Sequence, residues 1–515
     1  MQNRLVGREQ EYAMKIIPVF MPPPFPPLTV LTQQEFVQSV QALREQWRAE
    51  FVSEIIFKIM QSESAYFFDA RSNNHRLWLR NGGLTYIDLG SILEFASAEY
   101  EPCSLDGVLQ EKASERILNR ALEKVIAERG LQEFSLFKNN VGPGERGDIY
   151  DEVSYASHHN YSYQTNKRER VYALLTNFIP ASLPLTGSGH VYRSHRLGVG
   201  NQFCFTLSQR VPHINLLKSS GTLRGDRGIV NTRDEPLMDL SCGLSRLHII
   251  SHDATRCEFQ TWLVDAIMHL VLRIAEEVED EKVLPPDLKD PRAELEAINF
   301  SLEANFDYQV RLAVPYLALL SGKKDLFEYN YLFLDLAKQL SPLSDNEKKA
   351  LEAWEEILEL LMARAFNKLV GKLDWVTKWK LLRRQMKREG FELSDPQAWL
   401  IDMEYHNISN DPNLSWYARL EERGYIQHLV DEEEIVRTML VPPPTRARCR
   451  GDLLELIKTN SRLWYQVTRF NWDGAKFNNY QDMIYFGEKD NPFVPTSSSI
   501  DKLCRDLNLK KDTPQ

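Results

Sequence analysis

Cysteine is scarce in this 515-residue chain. The six, at 103, 204, 242, 257, 449 and 504, include no CxxC pair and no metal-ligand spacing, which argues against a disulfide scaffold or a zinc knuckle and fits a reducing cytoplasm. An excess of positive charge is also missing. The formal net charge is −10, so a general nucleic-acid binder is not expected, and protein or small-anion partners are. No long apolar run is free of charge: the most apolar helical stretch, "TWLVDAIMHLVLRIAEEVEDE", carries Asp265, His269 and Arg273 about a turn apart, which reads as a core helix rather than a membrane span. The start, "MQNRLVGREQEY", is charged at once and shows no signal peptide. The Gly-rich pieces "TGSGH" and "GVGN" have neither Walker A nor Rossmann spacing.

What is present is ample apolar content. At 43% hydrophobic and 26% charged residues, the chain can bury a large core and exceeds one ordinary domain. A first strand is expected over Arg4 to Tyr12, followed by the proline-dense "PVFMPPPFPPLTV", which must be an extended loop. Helical periodicity marks 33–60 and 109–130. From about 135 to 255 short runs such as "FSLFKNN", "RVYALLTNF", "NQFCFTLSQR" and "RLHIISHD" read as strands, and after 256 helices dominate. The prolines of "VPPPTRARCRG" predict a linker at 441–450, dividing a 1–440 body from a small C-terminal unit at 451–515.

Four constellations could carry chemistry. In "GREQEY" a strand places Glu9 and Glu11 on one face; such a like-charge pair serves either a wet edge strand or the oxygen ligation of Mg²⁺ at a nucleotide. In "NGGLTYIDLGSILEF" a buried strand puts Leu84, Tyr86 and Asp88 on one face, with Glu94 and Glu99 soon after. A buried carboxylate is costly unless partnered or used, so two such strands point to a cation site if the fold brings them together. "YASHHNYSY" adds His158, His159 and Asn160, and because neighbouring strand residues face opposite ways, one imidazole at most points into a given site. Finally Arg210, Arg224, Arg227 and Arg233 fall within two dozen residues, a set suited to phosphate oxygens or to surface ion pairs.

Taken in order, "GREQEY", "LRNGGLTYIDLGS", "ASAE", "LFKNN", "HHNY", "LSQR", "NTRDEP", "RLHII", "LDWVTKWKLL", "IDMEYHNI", "PPPTRARCRG" and "KDNPF" resemble the Pup ligase and depupylase family of the carboxylate–amine ligase superfamily, which includes glutamine synthetase. The resemblance spans nearly the whole chain and is closer to the ligase branch, because Glu94 follows Asp88 by six residues across "DLGSILE". It implies an α+β fold, with a glutamine-synthetase-like curved antiparallel sheet backed by helices and a small C-terminal domain. It also implies ATP and Mg²⁺ as cofactors, a small disordered Pup-like modifier and lysine-bearing targets as partners, and no role for nucleic acid or membrane. Family members phosphorylate the side-chain carboxylate of the modifier's C-terminal glutamate, and a target lysine then attacks. Carried over by position, Glu9, Tyr86, Glu94 and His158, with Glu11 beside them, become metal-site candidates, the four arginines and Asn160 nucleotide binders, and Asp88 the catalytic base. The chain departs from the family pattern at His159 (usually glutamate), at Ile92–Leu93 (commonly His-Pro) and at Ala13 (glycine). A deamidase or isopeptidase of the same modifier, a ligase for a small substrate and an inactive binding homologue are the competing readings.

Overall fold

The strand Val6–Pro18 is the pivot of the computed structural model, which describes residues 4–18, 33–62, 65–69, 75–143, 152–194, 202–223, 225–235, 242–313, 323–488, 491–507 and 509. The strand runs on beyond Tyr12 because its second half, Ala13 to Pro18, pairs with Leu131–Phe137. Its first half pairs with Ser157–Gln164 on one side and Ile92–Ala96 on the other. Around it a ten-stranded sheet runs in the order Leu216–Ser219, Gly228–Asn231, Leu244–Ile249, Ser157–Gln164, Val6–Pro18, Ile92–Ala96, Leu84–Asp88, Arg76–Leu79, Ala65–Asp69, with Leu131–Phe137 as the tenth strand off this path. The first two of these strands pair in parallel and the other pairs are antiparallel. With its helices, this makes the chain an α+β protein. The proline-dense 21–31 segment lies outside the described residues.

Alternation along these strands decides what each face does. Val6, Tyr12, Leu93, Phe95, Tyr161, Leu247 and Ile249 are buried against helices. Helices Gln33–Met60 and Asp106–Arg129 cover one half of this back face, and Arg168–Ala181 and Glu258–Glu277 the other. Glu258–Glu277 is buried almost all round, and its charges are paired: Asp265 with Arg8 at 3.1 Å, and His269 and Arg273 with Glu347 at 3.0 and 2.6 Å. Among the described residues no helix is long and apolar enough to cross a membrane.

Two expectations are corrected. "RVYALLTNF" lies in helix Arg168–Ala181, not a strand. Its buried Val171, Leu174, Leu175 and Phe178 recur at three- and four-residue steps, and a short apolar run does not separate the two periods. The 441–450 segment is not a linker throughout. Thr445 caps a helix, Arg446–Thr459, immediately after the prolines, and Arg446 and Arg450 bind the buried Glu99 at 2.7 and 2.5 Å. Residues after 446 also pack on Trp78, Leu84 and Ala96, covering part of the sheet's front face.

Candidate active site on the front of the sheet

Opposite residues of an antiparallel pair share a face, so the register assembles the site. Glu9 stands opposite His158, Glu11 opposite Glu94, Glu94 opposite Tyr86, and Asn160 opposite His248. The structure thus brings together two side-by-side groups.

In the first group Glu9, His158 and His248 present ligand atoms within 4.8 Å of one another. His158 Nδ1 lies 3.2 Å from Glu9 Oε2, Asn160 Nδ2 donates to Glu9 Oε1 at 3.3 Å, and His248 Nδ1 meets Asn160 Oδ1 at 2.8 Å. Arg246 Nη1 is 3.7 Å from Glu9. Burial pushes the Glu9 carboxyl up, but the His158 hydrogen bond and the electrostatic pull of its neighbours, Arg246 among them, outweigh it and hold it at about 2. Burial, together with His158, Arg246 and Arg233, drives the His248 imidazole well below its ordinary value.

The second group is Glu11, Asp88 and Glu94, again within 4.8 Å. Glu11 Oε2 accepts a hydrogen bond from the Ala156 amide. Among the described residues none of the three forms an ion pair with a lysine, arginine or histidine. Burial and the surrounding Glu9, Glu11 and Asp88 push the Glu94 carboxyl well above the usual carboxylate range, and burial with the same neighbourhood raises the Tyr86 phenol. Clustered carboxylate oxygens suit a hard divalent cation such as Mg²⁺, and those of Glu11 and Glu94 lie on the same face as Glu9 of the first group, whose charge reaches Glu94. The imidazole-bearing first group is chemically distinct, a carboxylate oriented by nitrogen and amide partners.

The predicted arginines are spread around these groups. Arg210 is buried, donating from Nε to Ile250 O at 3.1 Å and from Nη1 to Tyr155 O at 3.1 Å and to Ser154 Oγ. Burial and Arg227 push its guanidinium down to about 9 against the pull of Glu11 and Asp253. Half-buried Arg227 donates to Thr222 O at 2.8 Å, and Arg233 is an exposed partner of Glu235 at 3.0 Å. Arg224 lies outside the described residues. His159 faces the back of the sheet, 3.5 Å from Asp265, so its departure from the family pattern does not touch the front group. Glu99 is not a cation ligand but the partner of Arg446 and Arg450. A cavity next to Glu9 is lined by Gly7, Glu99, Arg246, Arg446 and Trp472.

His248 and Arg246 were not singled out from sequence. Their signal is the alternation in "RLHII", which puts both on the face that meets Asn160.

A family model described as Pup-ligase protein matches residues 4–476. The chain belongs to the Pup-ligase family. Curated relatives named Pup–protein ligase include that of Acidimicrobium ferrooxidans, 32% identical over 448 residues, covering 85% of this chain and 90% of the relative. Another, from Sanguibacter keddieii, is 30% identical with the same coverage. Two solved structures share the Pup-ligase fold at 23% identity. The complex of prokaryotic ubiquitin-like protein Pup with its ligase PafA aligns at TM-score 0.74, covering 99% of this chain and 93% of that one. PafA with ADP aligns at 0.69, covering 96% and 97%.

Proposed function

We propose that this chain is an ATP-dependent carboxylate–amine ligase that joins the C-terminal glutamate of a Pup-like modifier to target lysines. The observation that carries the reading is the carboxylate group Glu11, Asp88 and Glu94, which forms no ion pair among the described residues, beside Glu9 in a chain of the Pup-ligase family. Glu9, Glu11 and Glu94 would hold Mg²⁺, with Tyr86 and His158 around them. Bound there, Mg²⁺ disperses the phosphate charge during transfer. Arg246 lies 3.7 Å from Glu9, the charge of Glu11 reaches Arg210 and that of Arg233 reaches His248, and Asn160 donates to Glu9; these arginines and Arg227 would bind the nucleotide's phosphates. Trp472 gives the adjoining cavity an aromatic wall suited to a purine.

The chemistry follows from the substrates. A carboxylate is a poor electrophile, so its oxygen first takes the γ-phosphoryl group and ADP leaves. The lysine nitrogen then attacks the acyl carbon, phosphate leaves, and an isopeptide bond forms. Lysine has an ordinary pKa of about 10.4 and arrives protonated. Asp88, half-buried at the end of its strand, is placed to accept that proton. A 1–440 catalytic body with a small C-terminal unit, and a cytoplasmic setting, complete the reading.

Incubation with ATP and a glutamate-terminated Pup plus a lysine-bearing protein should yield conjugate and ADP in equal amounts, with glutamine-terminated Pup deamidated slowly or not at all. Mass spectrometry reads both reactions. Rapid deamidation without conjugate would overturn the ligase assignment in favour of the deamidase.

A further inference from the structure

Along the front of the pivot strand the sequence changes character, from Glu9 and Glu11 to Ala13. Ala13 packs with Phe137 and Tyr155, and the partly exposed Ile92 and Met403 lie against them. Ile92 is the register partner of Asp88 and therefore shares its face, so an apolar wall begins where the carboxylate group ends.

The rim of this wall is held in place. The turn Leu89 to Ser91 stands over Ile92, with a Cβ built on Gly90 coming 3.9 Å from Ile92 Cδ1. Gly90 and Ser91 both adopt left-handed backbone, at φ 77° and 59°. Arg48, from helix Gln33–Met60, donates to Gly90 O at 3.0 Å, and its charge also reaches Tyr155, as does that of Glu11.

We propose that this wall is the slot for the aliphatic stem of the acceptor lysine, with Ile92 and Met403 against its methylenes and Asp88 at its ammonium. The inference rests on the ligase reading above and adds to it where the acceptor lies. A lysine side chain is an apolar stem ending in a cation, and long basic side chains lay that stem on apolar surface while the charge meets polar groups. The face offers the same sequence of chemistry, apolar side chains leading to carboxylates. Ammonia, the leaving group of a deamidation, has no stem to place on such a wall.

The test compares two nucleophiles on one acyl phosphate. Hydroxylamine attacks the acyl carbon through nitrogen, releasing phosphate and a proton and leaving a hydroxamate, and it has no stem to place. Met403→Trp, which fills the slot, should lower kcat/KM for a lysine-bearing acceptor by about tenfold or more, with a much smaller loss for hydroxamate formation from glutamate-terminated Pup and ATP. Met403→Leu, close in volume, should restore the lysine reaction. If Met403→Trp loses its Mg–ATP thermal stabilisation, Ile92→Phe makes the same test from the opposite wall. Equal losses for the two nucleophiles, or an unchanged lysine reaction, would overturn the slot. Absence of any hydroxamate with the wild-type chain would instead overturn the ligase reading, and the slot with it.

Discussion

The two faces of one set of strands handle charge in opposite ways. On the back, Asp265 is paired with Arg8 at 3.1 Å, Glu111 with Arg8 at 2.8 Å, and Glu115 with Lys138 and Arg256 at 3.2 and 2.7 Å. Tyr100 and Tyr161 each donate to Asp265 at 2.9 Å. Burial pushes the Glu115 carboxyl up, but Arg256 and Lys138 outweigh it and hold it at about 2. On the front, Glu9, Glu11, Asp88 and Glu94 gather with Arg246 as the nearest paired arginine, at 3.7 Å, and Glu94 is pushed towards its neutral form. Neighbours in sequence divide between the two regimes, Arg8 from Glu9 and His159 from His158. Charges that hold the fold bring their counter-charges with them. The front carboxylates form fewer ion pairs among the described residues, the pattern expected where a bound substrate would supply the compensation.

The contrast breaks most visibly on the back. Arg8→Met removes the partner of two carboxylates and should destabilise the fold by about 3–5 kcal/mol, read as a lower urea midpoint at unchanged slope. A variant of wild-type stability with impaired ligation would show that the back face is not structural.

Asp88→Asn, on the front, should do the reverse. Size and shape are kept and the proton acceptor is lost, so isopeptide formation should fall by ~10²-fold or more while Mg–ATP still raises the melting temperature. Loss of the nucleotide effect would make Asp88 a metal ligand instead.

A smaller, pH-graded effect is expected at Glu99, which ties helix Arg446–Thr459 to the sheet. Burial pushes its carboxyl up, but Arg450 and Arg446 outweigh it and hold it at about 2 against an ordinary 4.5. A lowered carboxylate stabilises the fold fully above its unfolded value, and that contribution fades as pH falls through the folded one. The stability gap between wild type and Glu99→Gln should be constant above pH 4.5 and close progressively towards pH 2. A gap that does not change with pH would contradict the ion-pair account.

Local pattern carried much of this into the sequence. The alternation that puts Glu9 with Glu11, and Tyr86 with Asp88, on one face is a property of a few consecutive residues, and so is the split between His158 and His159. The meeting of these strands is not. Glu11 reaches Glu94 across 83 positions and Asn160 reaches His248 across 88, and such pairing follows from the whole fold rather than from any window. His248 and Arg246 were missed for that reason, since a histidine and an arginine in a short strand carry no signal until Glu9 is beside them. An apolar run as short as that of helix Arg168–Ala181 does not distinguish helix from strand, and proline marks a stop without saying that a capped helix, Arg446–Thr459, starts at once behind it.

On this reading Mg–ATP binds at the front-face carboxylates. Thermal unfolding of wild type and Glu9→Ala, each with ATP alone and with ATP plus Mg²⁺, tests it directly. Mg–ATP should raise the wild-type melting temperature and ATP alone should not, while Glu9→Ala should unfold normally without ligand yet gain nothing from Mg–ATP. A variant stabilised by Mg–ATP as much as the wild type would contradict it.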